Sequence, residues 1–403
     1  MSMINAPLNR RLRMGLVGGG GTGFIGPVHR LAAGMDGRAE LVAAALSSDP
    51  TRGRSAALDL GISEERAYGS YAEMIEQESR RDAESRIDFI SIATPNHTHF
   101  AIAKQALDAG FHVVCDKPMT ISVDHAEQLA SLVDASRRVF AVTHNYTGYP
   151  LIRQARDMIA AGELGEILAV RTHYIQGWLQ GLVPGQTPSR GAWKSDATKA
   201  GSGALGDIAT HAYQLARYVT GLMPDQVSCR LRNWHPDRDV DDYGHALVRY
   251  QNEALGMVTF SQITHGRLND LSIEIDGSRA SLSWRQESPN QLVVHSLGRP
   301  TQIYDRHPQA EYTTELARAS CRLPAGHPEA FLEAFANVYN ACFDDIVACA
   351  AGDPYGGQQT IYPNVGDGVE GVWFVAQCQS SAAEQGAWKT LRHPRLPGAS
   401  THG

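Results

Sequence analysis

Short runs of consecutive apolar residues alternate with longer amphipathic stretches over the first third of the chain. The runs are Met14-Gly15-Leu16-Val17, Leu41 to Leu46, Phe89-Ile90-Ser91-Ile92-Ala93, Val113-Val114 and Val139-Phe140-Ala141-Val142. Strands buried on both faces read as continuous apolar runs, and their alternation with helical stretches predicts βαβ units around a parallel sheet. After about Asn145 the rhythm changes. Leu151 to Ala161 carries a helical pattern, and longer alternating segments follow from Ile167 to Tyr174 and from Asp225 to His295, with turn signals such as Gln251-Asn252 and Asp276-Gly277 between them. Strands that succeed one another in this way predict an antiparallel or mixed sheet, so the second part reads as α+β. A long helix over Pro328 to Ala350, a glycine-rich loop from Ala351 to Gly357 and a last helix near Gly366 to Gln385 complete the pattern, with a frayed tail beyond Pro394.

A chain of 403 residues is long for one average domain. The change of rhythm divides it into residues 1–145 and 146–403, each large enough to bury its own core. The net charge of -7, with basic residues scattered apart from Arg10-Arg11-Arg13, gives no electrostatic footprint for nucleic acid. The six cysteines, Cys115, Cys229, Cys321, Cys342, Cys349 and Cys378, form no CxxC pair and no close-set framework, which predicts reduced thiols in a cytoplasmic protein. Met1 to Arg13 is polar and basic and the apolar run after it is short, a pattern of neither a signal peptide nor a membrane span.

The first predicted strand runs into Gly18-Gly19-Gly20-Gly21-Thr22-Gly23, followed by a helix. Glycines there let the chain turn tightly and approach a pyrophosphate, which rests on the helix N-terminus. Two registers fit: Gly18, Gly20 and Gly23, or Gly18 and Gly20 with Gly26 as the third glycine. The second is preferred, because Pro27 suits a first helical position and the helix then runs to about Met35. At the end of the second strand, where an acid would meet the adenosine ribose, stands Ser47-Ser48-Asp49-Pro50-Thr51-Arg52. Ser47 leaves that place without a carboxylate, which removes a repulsion against the extra phosphate of NADP, and Arg52 or Arg54 can attract it. Asp49 can equally serve NAD, so the choice between NAD and NADP stays open.

Thr94-Pro95-Asn96-His97-Thr98-His99 follows the third strand, with Thr98 a candidate cap for the next helix. Its His-x-His spacing lacks a third ligand, so no metal is expected. Cys115-Asp116-Lys117-Pro118 ends the fourth strand, where open α/β sheets bind ligands. Further on, Gly201, Gly203 and Gly206 precede Asp207 and His211, which share one face if the segment is helical.

The glycine loop, Thr94 to His99, Asp116-Lys117-Pro118 and Gly206-Asp207-Ile208-Ala209-Thr210-His211 together resemble the Gfo/Idh/MocA family of sugar and inositol dehydrogenases, over nearly the whole chain. The family motif usually reads Glu-Lys-Pro, which Asp116 shortens by one methylene, and the glycine loop here is longer. The resemblance implies α/β architecture, with an N-terminal Rossmann doubly wound parallel sheet and a C-terminal α+β domain whose large open, mostly antiparallel sheet makes a homodimer or homotetramer. It implies hydride transfer between nicotinamide and a secondary alcohol of a cyclic polyol, sugar or glycoside. The expected cofactor contacts are Gly18, Gly20, Gly23, Phe24, Ile25, Gly26, Ser47, Ser48, Arg52, Thr94, Pro95, Asn96, His99, Asp116 and Lys117.

In the expected chemistry His211 takes the hydroxyl proton, Lys117 polarises the same oxygen and Asp207 orients the substrate. Asn145, Tyr174, Gln176, Trp178 and Trp193 supply the aromatic and amide surfaces that suit a sugar ring. Asn145 and Tyr146 fall where the domains should join, Asp241-Asp242 reads as a solvated turn, and His265, Arg267 and Asn269 lie in a break between strands. A non-catalytic NAD(P)-binding regulator on the same fold is the alternative. Oxidation of an amino or imino acid is the third, with Arg267 as the one carboxylate partner.

Overall fold

The computed structural model describes residues 4–21, 23–181, 192–235, 238–353, 355 and 360–392. Thr22 of the glycine loop, Pro354, Gly356 and Gly357 of the later glycine-rich stretch, and the tail beyond Pro394 lie outside them. The chain forms two compact units, one of residues 1–144 with 335–369 and one of residues 145–334 with 370–403.

In the first unit the apolar runs become β1 (Leu12–Gly18), β2 (Ala39–Ala45), β3 (Phe89–Ala93), β4 (His112–Cys115) and β5 (Phe140–Val142). They are parallel neighbours in the order β2-β1-β3-β4-β5. Every residue of β1, β3, β4 and β5 is buried, which is why these strands are apolar without alternation. The order reverses direction at β1, so the carboxyl ends of β1 and β3 form the topological switch point where such sheets take ligands. Gly18 pairs with Ala93 and Ile92 with Cys115, which brings the glycine loop, Thr94 and Asp116-Lys117 to one end of the sheet.

The helices between these strands are α1 (Ile25–Gly34), α2 (Pro50–Asp59), α3 (Tyr71–Ser79), α4 (His99–Asp108) and α5 (Val123–Ser136). Asp49, Ser70 and Ser122 cap α2, α3 and α5 through their side chains, and Pro50 occupies the first turn of α2. Thr98 makes no such cap on α4; its hydroxyl instead lies 2.7 Å from both Thr94 Oγ1 and the Pro95 carbonyl. Helix α1 begins at Ile25, two residues earlier than Pro27 implied, and has no side-chain cap.

The second unit contains α6 (Pro150–Ala160), β6 (Ile167–Ile175), α7 (Ala197–Ala200), α8 (Thr210–Thr220), β7 (Pro224–Arg232), β8 (Tyr243–Tyr250), β9 (Leu255–Ser261), β10 (Asp270–Gly277), β11 (Ala280–Arg285), β12 (Gln291–Ser296), β13 (Gln302–Asp305), α9 (Glu315–Ala319) and β14 (Lys389–Thr390). Its nine strands run in the order β13-β12-β11-β10-β6-β9-β8-β7-β14. Only the β6–β9 pairing is parallel, so the sheet is mixed and mostly antiparallel. Strands alternate buried and exposed positions because one face carries the core, which includes Tyr149, Trp284, Tyr213, Tyr250, Phe260 and Phe374.

Two helices cross between the units: α10 (Phe331–Ala350) and α11 (Val365–Ala383). The single boundary expected at 145–146 therefore describes one crossing, while the return of residues 335–369 to the first unit differs from a continuous 146–403 domain. The reason is aromatic packing. Tyr339 and Phe343 of α10 have their rings 6.3 and 5.3 Å from Phe89, and Val142 donates its backbone N–H to Pro363 at 2.8 Å.

Two buried imidazoles give the first unit a predicted acid sensitivity. Burial, with the nearby charges of Arg138 and Arg86, lowers His112 to about 3 against the opposing Asp88, and its Nδ1 accepts the Val139 N–H at 2.9 Å. Burial, with the charge of Lys117, lowers His144 to about 3 against Asp116. The unfolded chain protonates each histidine near pH ~6.5, whereas the folded chain refuses the proton until about pH 3. Stability is therefore complete above pH ~6.5 and lost as pH falls through that window, by on the order of 1 kcal/mol per pH unit for each histidine. Urea unfolding between pH 7 and pH 5 is expected to show this fall, with a shallower slope in His112→Asn.

Candidate active site

The glycine loop is built so that backbone meets backbone. Gly18 and Gly19 have positive φ of 82° and 77°, which side chains disfavour. A Cβ on Gly20 would stand 2.6 Å from the Leu46 carbonyl oxygen, and one on Gly26 would stand 2.2 Å from Gly19 Cα. Around Gly23 the nearest atom would be 3.9 Å away. The closely packed glycines are thus Gly18, Gly19, Gly20 and Gly26, the geometry of the Gly26 register. A cradle in which Gly18, Gly19, Gly20 and Gly26 leave no room for a Cβ, opening onto the uncapped N-terminus of α1, fits a pyrophosphate. Phe24, 63% exposed, and Ile25 open the same helix. Gly26→Ala is expected to cost about 1–3 kcal/mol through overpacking and to weaken dinucleotide binding at least tenfold. Gly23→Ala should leave both nearly unchanged. Thermal unfolding and fluorescence titration of the two variants check the contrast.

At the end of β2, Ser47 Oγ receives hydrogen bonds from Arg52 Nε and Nη2 at 3.1 and 3.0 Å, with Ser48 exposed beside it. The 3-10 turn Asn96–Thr98 follows Thr94 and Pro95. His99 is fully buried, and its Nδ1 and Nε2 lie 2.9 and 2.8 Å from the carbonyl oxygens of Pro118 and Thr94. Both nitrogens stand against backbone carbonyls, to one of which a neutral imidazole donates, so His99 sits between the Thr94 loop and the Lys117-Pro118 turn rather than facing a ligand. Burial lowers its pKa against the pull of Asp116.

Asp116 shapes the surroundings of Lys117. Thr143 Oγ1 donates to its Oδ1 at 2.8 Å, and His29 Nε2 stands 3.7 Å from the same oxygen. Burial works against the charge, but the neighbouring His29, with Lys117 and His99 nearby, holds the carboxyl down at about 2. Behind it, His29 Nδ1 lies 2.6 Å from the hydroxyl of Tyr339, which lies 2.8 Å from Ser91 Oγ. Sequence reading had not singled out His29 or Tyr339. They are 310 residues apart, and nothing local marks the pair.

In the second unit Asp207 sits in a π-helical turn, Leu205–Ala209, that leads into α8 and His211. The regular i,i+4 helix implied by the spacing is thus widened at this point, a distortion that frequently marks functional helices. Asp241 holds the start of the turn, its two carboxylate oxygens accepting the N–H groups of Gly203 and Leu205 at 2.8 and 2.7 Å. A Cβ on Gly203 would come 1.7 Å from the Asp241 carbonyl oxygen, so that position needs glycine. Asp242 is fully buried and accepts from the backbone of Trp234 and His235. Neither aspartate is the solvated turn that the sequence implied; burial raises the Asp241 pKa even though those backbone bonds lower it.

Lys194 Nζ donates to both oxygens of Asp207 at 2.9 and 3.0 Å, and Gln262 Nε2 donates to Oδ2 at 2.9 Å. His211 is 7% exposed; its ring meets Tyr146 edge-on at 4.9 Å and Tyr174 at 6.1 Å. The Tyr146 and Tyr174 hydroxyls are 2.6 Å apart, and Asn269 Oδ1 accepts from Tyr174 at 2.7 Å and from Gln176 at 2.8 Å. The second unit therefore brings Tyr174, Gln176, Asp207 and His211 together with Tyr146 and Asn269. Asn145 is buried at the start of a 3-10 turn, Asn145–Gly148. Trp193 carries Lys194 Nζ 5.8 Å from its ring, and Trp178, 39% exposed, lies 5.8 Å from the Arg238 guanidinium. Arg267 is engaged with Asp270. Sequence reading missed Lys194, Gln262 and Asp241 as partners of this site.

Residues 12–144 match the model of an oxidoreductase family with an NAD-binding Rossmann fold, and residues 152–283 match that of the GFO/IDH/MocA C-terminal domain. The chain belongs to the Gfo/Idh/MocA family of NAD-binding oxidoreductases. It is 32% identical over 385 residues to the uncharacterized oxidoreductase YfiI of Bacillus subtilis, covering 94% of this chain and 97% of that protein. It is 32% identical over 315 residues to levoglucosan dehydrogenase of Pseudarthrobacter phenanthrenivorans, covering 71% and 76%. An inositol dehydrogenase homolog from Azotobacter vinelandii is similar in structure as complexed with NAD+ (38% identity, 94% and 97% covered, TM-score 0.89) and with NADH and myo-inositol (37%, 94% and 98%, TM-score 0.87). No helix of the described residues is long and apolar enough to cross a membrane.

Proposed function

We propose that this protein is an NAD(P)-dependent dehydrogenase that oxidises a secondary alcohol on a cyclic polyol, sugar or glycoside, with inositol-like rings as its substrate class. The observation that carries the reading is the hydrogen-bonded set around His211, in which Tyr146, Tyr174, Gln176 and Asn269 combine aromatic faces with amide and hydroxyl edges. Such a lining matches a ring whose faces are apolar and whose rim is hydroxylated. Gly18, Gly20, Gly26, Ser47 and Thr94 hold the dinucleotide in this reading, whose bound nicotinamide supplies a two-electron hydride acceptor.

The chain's own groups do the rest. His211 takes the hydroxyl proton through an imidazole held by Tyr146. Lys117 stabilises negative charge on the reacting oxygen. Asp207, fixed beforehand by Lys194 and Gln262, orients neighbouring hydroxyls. Mixing the purified protein with NAD or NADP and a panel of inositols, aldoses and glycosides, while following reduced nicotinamide by absorbance, tests the reading. No turnover with any ring polyol would sink it, and dinucleotide binding without turnover would support the non-catalytic regulator instead.

A homodimer or homotetramer through the nine-stranded sheet belongs to the same reading. Leu247 and Leu255 are 48% and 61% exposed, and Met257, paired across from Leu247, is 40% exposed. Apolar side chains grouped on an open sheet face favour a second copy. A cytoplasmic location agrees with six cysteines that are all free thiols.

A further inference from the structure

The end of β2 decides which dinucleotide a Rossmann unit accepts, because the adenosine ribose lies there. An acid at that place binds the ribose hydroxyls of NAD and repels a 2′-phosphate. Here the place is taken by Ser47, next to Leu46, whose carbonyl accepts the Gly20 N–H at 3.1 Å and so joins this corner to the glycine cradle. The nearest acid, Asp49, is committed elsewhere. Its Oδ1 accepts the Arg52 N–H at 3.0 Å as the cap of α2.

The two local arginines differ in the same respect. Arg54 Nη2 is held by both oxygens of Glu73 at 2.8 and 3.0 Å, and its Nη1 donates to the Ala67 carbonyl. The Arg52 guanidinium donates Nε and Nη2 to the neutral Ser47 hydroxyl and meets no carboxylate among the described residues. Its helical turn is pressed onto the strand end, since a Cβ on Gly53 would stand 3.2 Å from Ser47 N. The result is an exposed guanidinium fork, held at the ribose position by a hydroxyl, with its charge uncompensated. Such a fork recognises a phosphate dianion by charge-assisted hydrogen bonds.

We propose that Ser47 and Arg52 form a 2′-phosphate subsite and that this chain prefers NADP(H) to NAD(H). The proposal rests on the first unit being the dinucleotide-binding unit and goes beyond it in naming the form bound. Titration of the full-length protein with NADPH and with NADH, read by nicotinamide fluorescence in the absence of substrate, tests it. NADPH is expected to bind at least about tenfold tighter at low salt, as one charge-assisted contact allows, with the ratio shrinking as salt screens the exposed pair. Arg52→Gln should remove the advantage while leaving NADH affinity within about twofold, and Ser47→Asp, which adds a carboxylate that repels the phosphate and pairs with Arg52, should invert the preference. NADH binding as tightly as NADPH in the unaltered protein, or equal weakening of both by Arg52→Gln, would overturn the subsite and leave the cofactor unit standing. Failure of both dinucleotides to bind would overturn the two together.

Discussion

Lys117→Ala is expected to lower kcat by about a hundred- to a thousandfold, the range for deleting one group that stabilises charge on a reacting oxygen. Dinucleotide affinity should change by no more than a few-fold. The expectation follows from where Lys117 stands and what surrounds it. It lies two residues past the end of β4, at the carboxyl end of the parallel sheet, on a Lys117-Pro118 turn that His99 separates from the Thr94 loop. Its neighbour Asp116, held down at about 2, stays ionised throughout the working pH range. A carboxylate fixed by Thr143 and His29 gives the ammonium a stationary counter-charge. Lys117→Arg should not restore the rate, because a planar fork does not occupy the position of a compact ammonium. His29→Phe removes the support of Asp116 together with the partner of the Tyr339 hydroxyl and should lower kcat several-fold, with KM for the alcohol little changed. Steady-state kinetics with the best substrate of the polyol panel, beside direct titration of the dinucleotide, separate these outcomes. Equal rates in Lys117→Ala and the unaltered protein would remove Lys117 from the chemistry.

The parts of this molecule that could be read from sequence are those in which chemistry and chain neighbourhood coincide. The strands β1 to β5 are legible because a strand buried on both faces must be apolar at every position, and Lys117 because a strand end is a fixed place in the fold. Asp207 and His211 are legible as a spacing, although the π-helical turn between them leaves the same residue pattern as an α-helix. What escaped depends on distance along the chain. Gln262 reaches Asp207 across 55 residues and Asp241 reaches Gly203 across 38, and neither has a periodicity that announces it. Asp241-Asp242 looked like a solvated turn because paired acids usually are; here backbone N–H groups replace water, a substitution that composition does not reveal. The return of residues 335–369 to the first unit escaped for the same reason, since a long apolar helix has the same pattern whichever sheet it covers.

His211→Asn is expected to lower kcat for alcohol oxidation by about a hundred- to ten-thousandfold, the range spanned by positioned general bases, and the deficit should shrink as pH rises. The second half of that expectation separates a proton acceptor from a structural part. When the base is missing, hydroxide can take the hydroxyl proton, so a variant lacking only the base gains rate with alkalinity, whereas a variant with a collapsed site does not. Retention of the fold is itself expected. The His211 ring packs edge-on against Tyr146, and the hydroxyls and amides of Tyr146, Tyr174, Asn269 and Gln176 are hydrogen-bonded to one another. Tyr146→Phe keeps the ring that the imidazole leans on but removes the hydroxyl 2.6 Å from Tyr174, so it should cost far less rate than His211→Asn and show no recovery at high pH. Thermal unfolding of each variant and pH profiles of kcat from neutral to alkaline conditions decide the matter. A pH-independent loss in His211→Asn, accompanied by a lower unfolding temperature, would make His211 a packing residue and move the proton acceptor elsewhere.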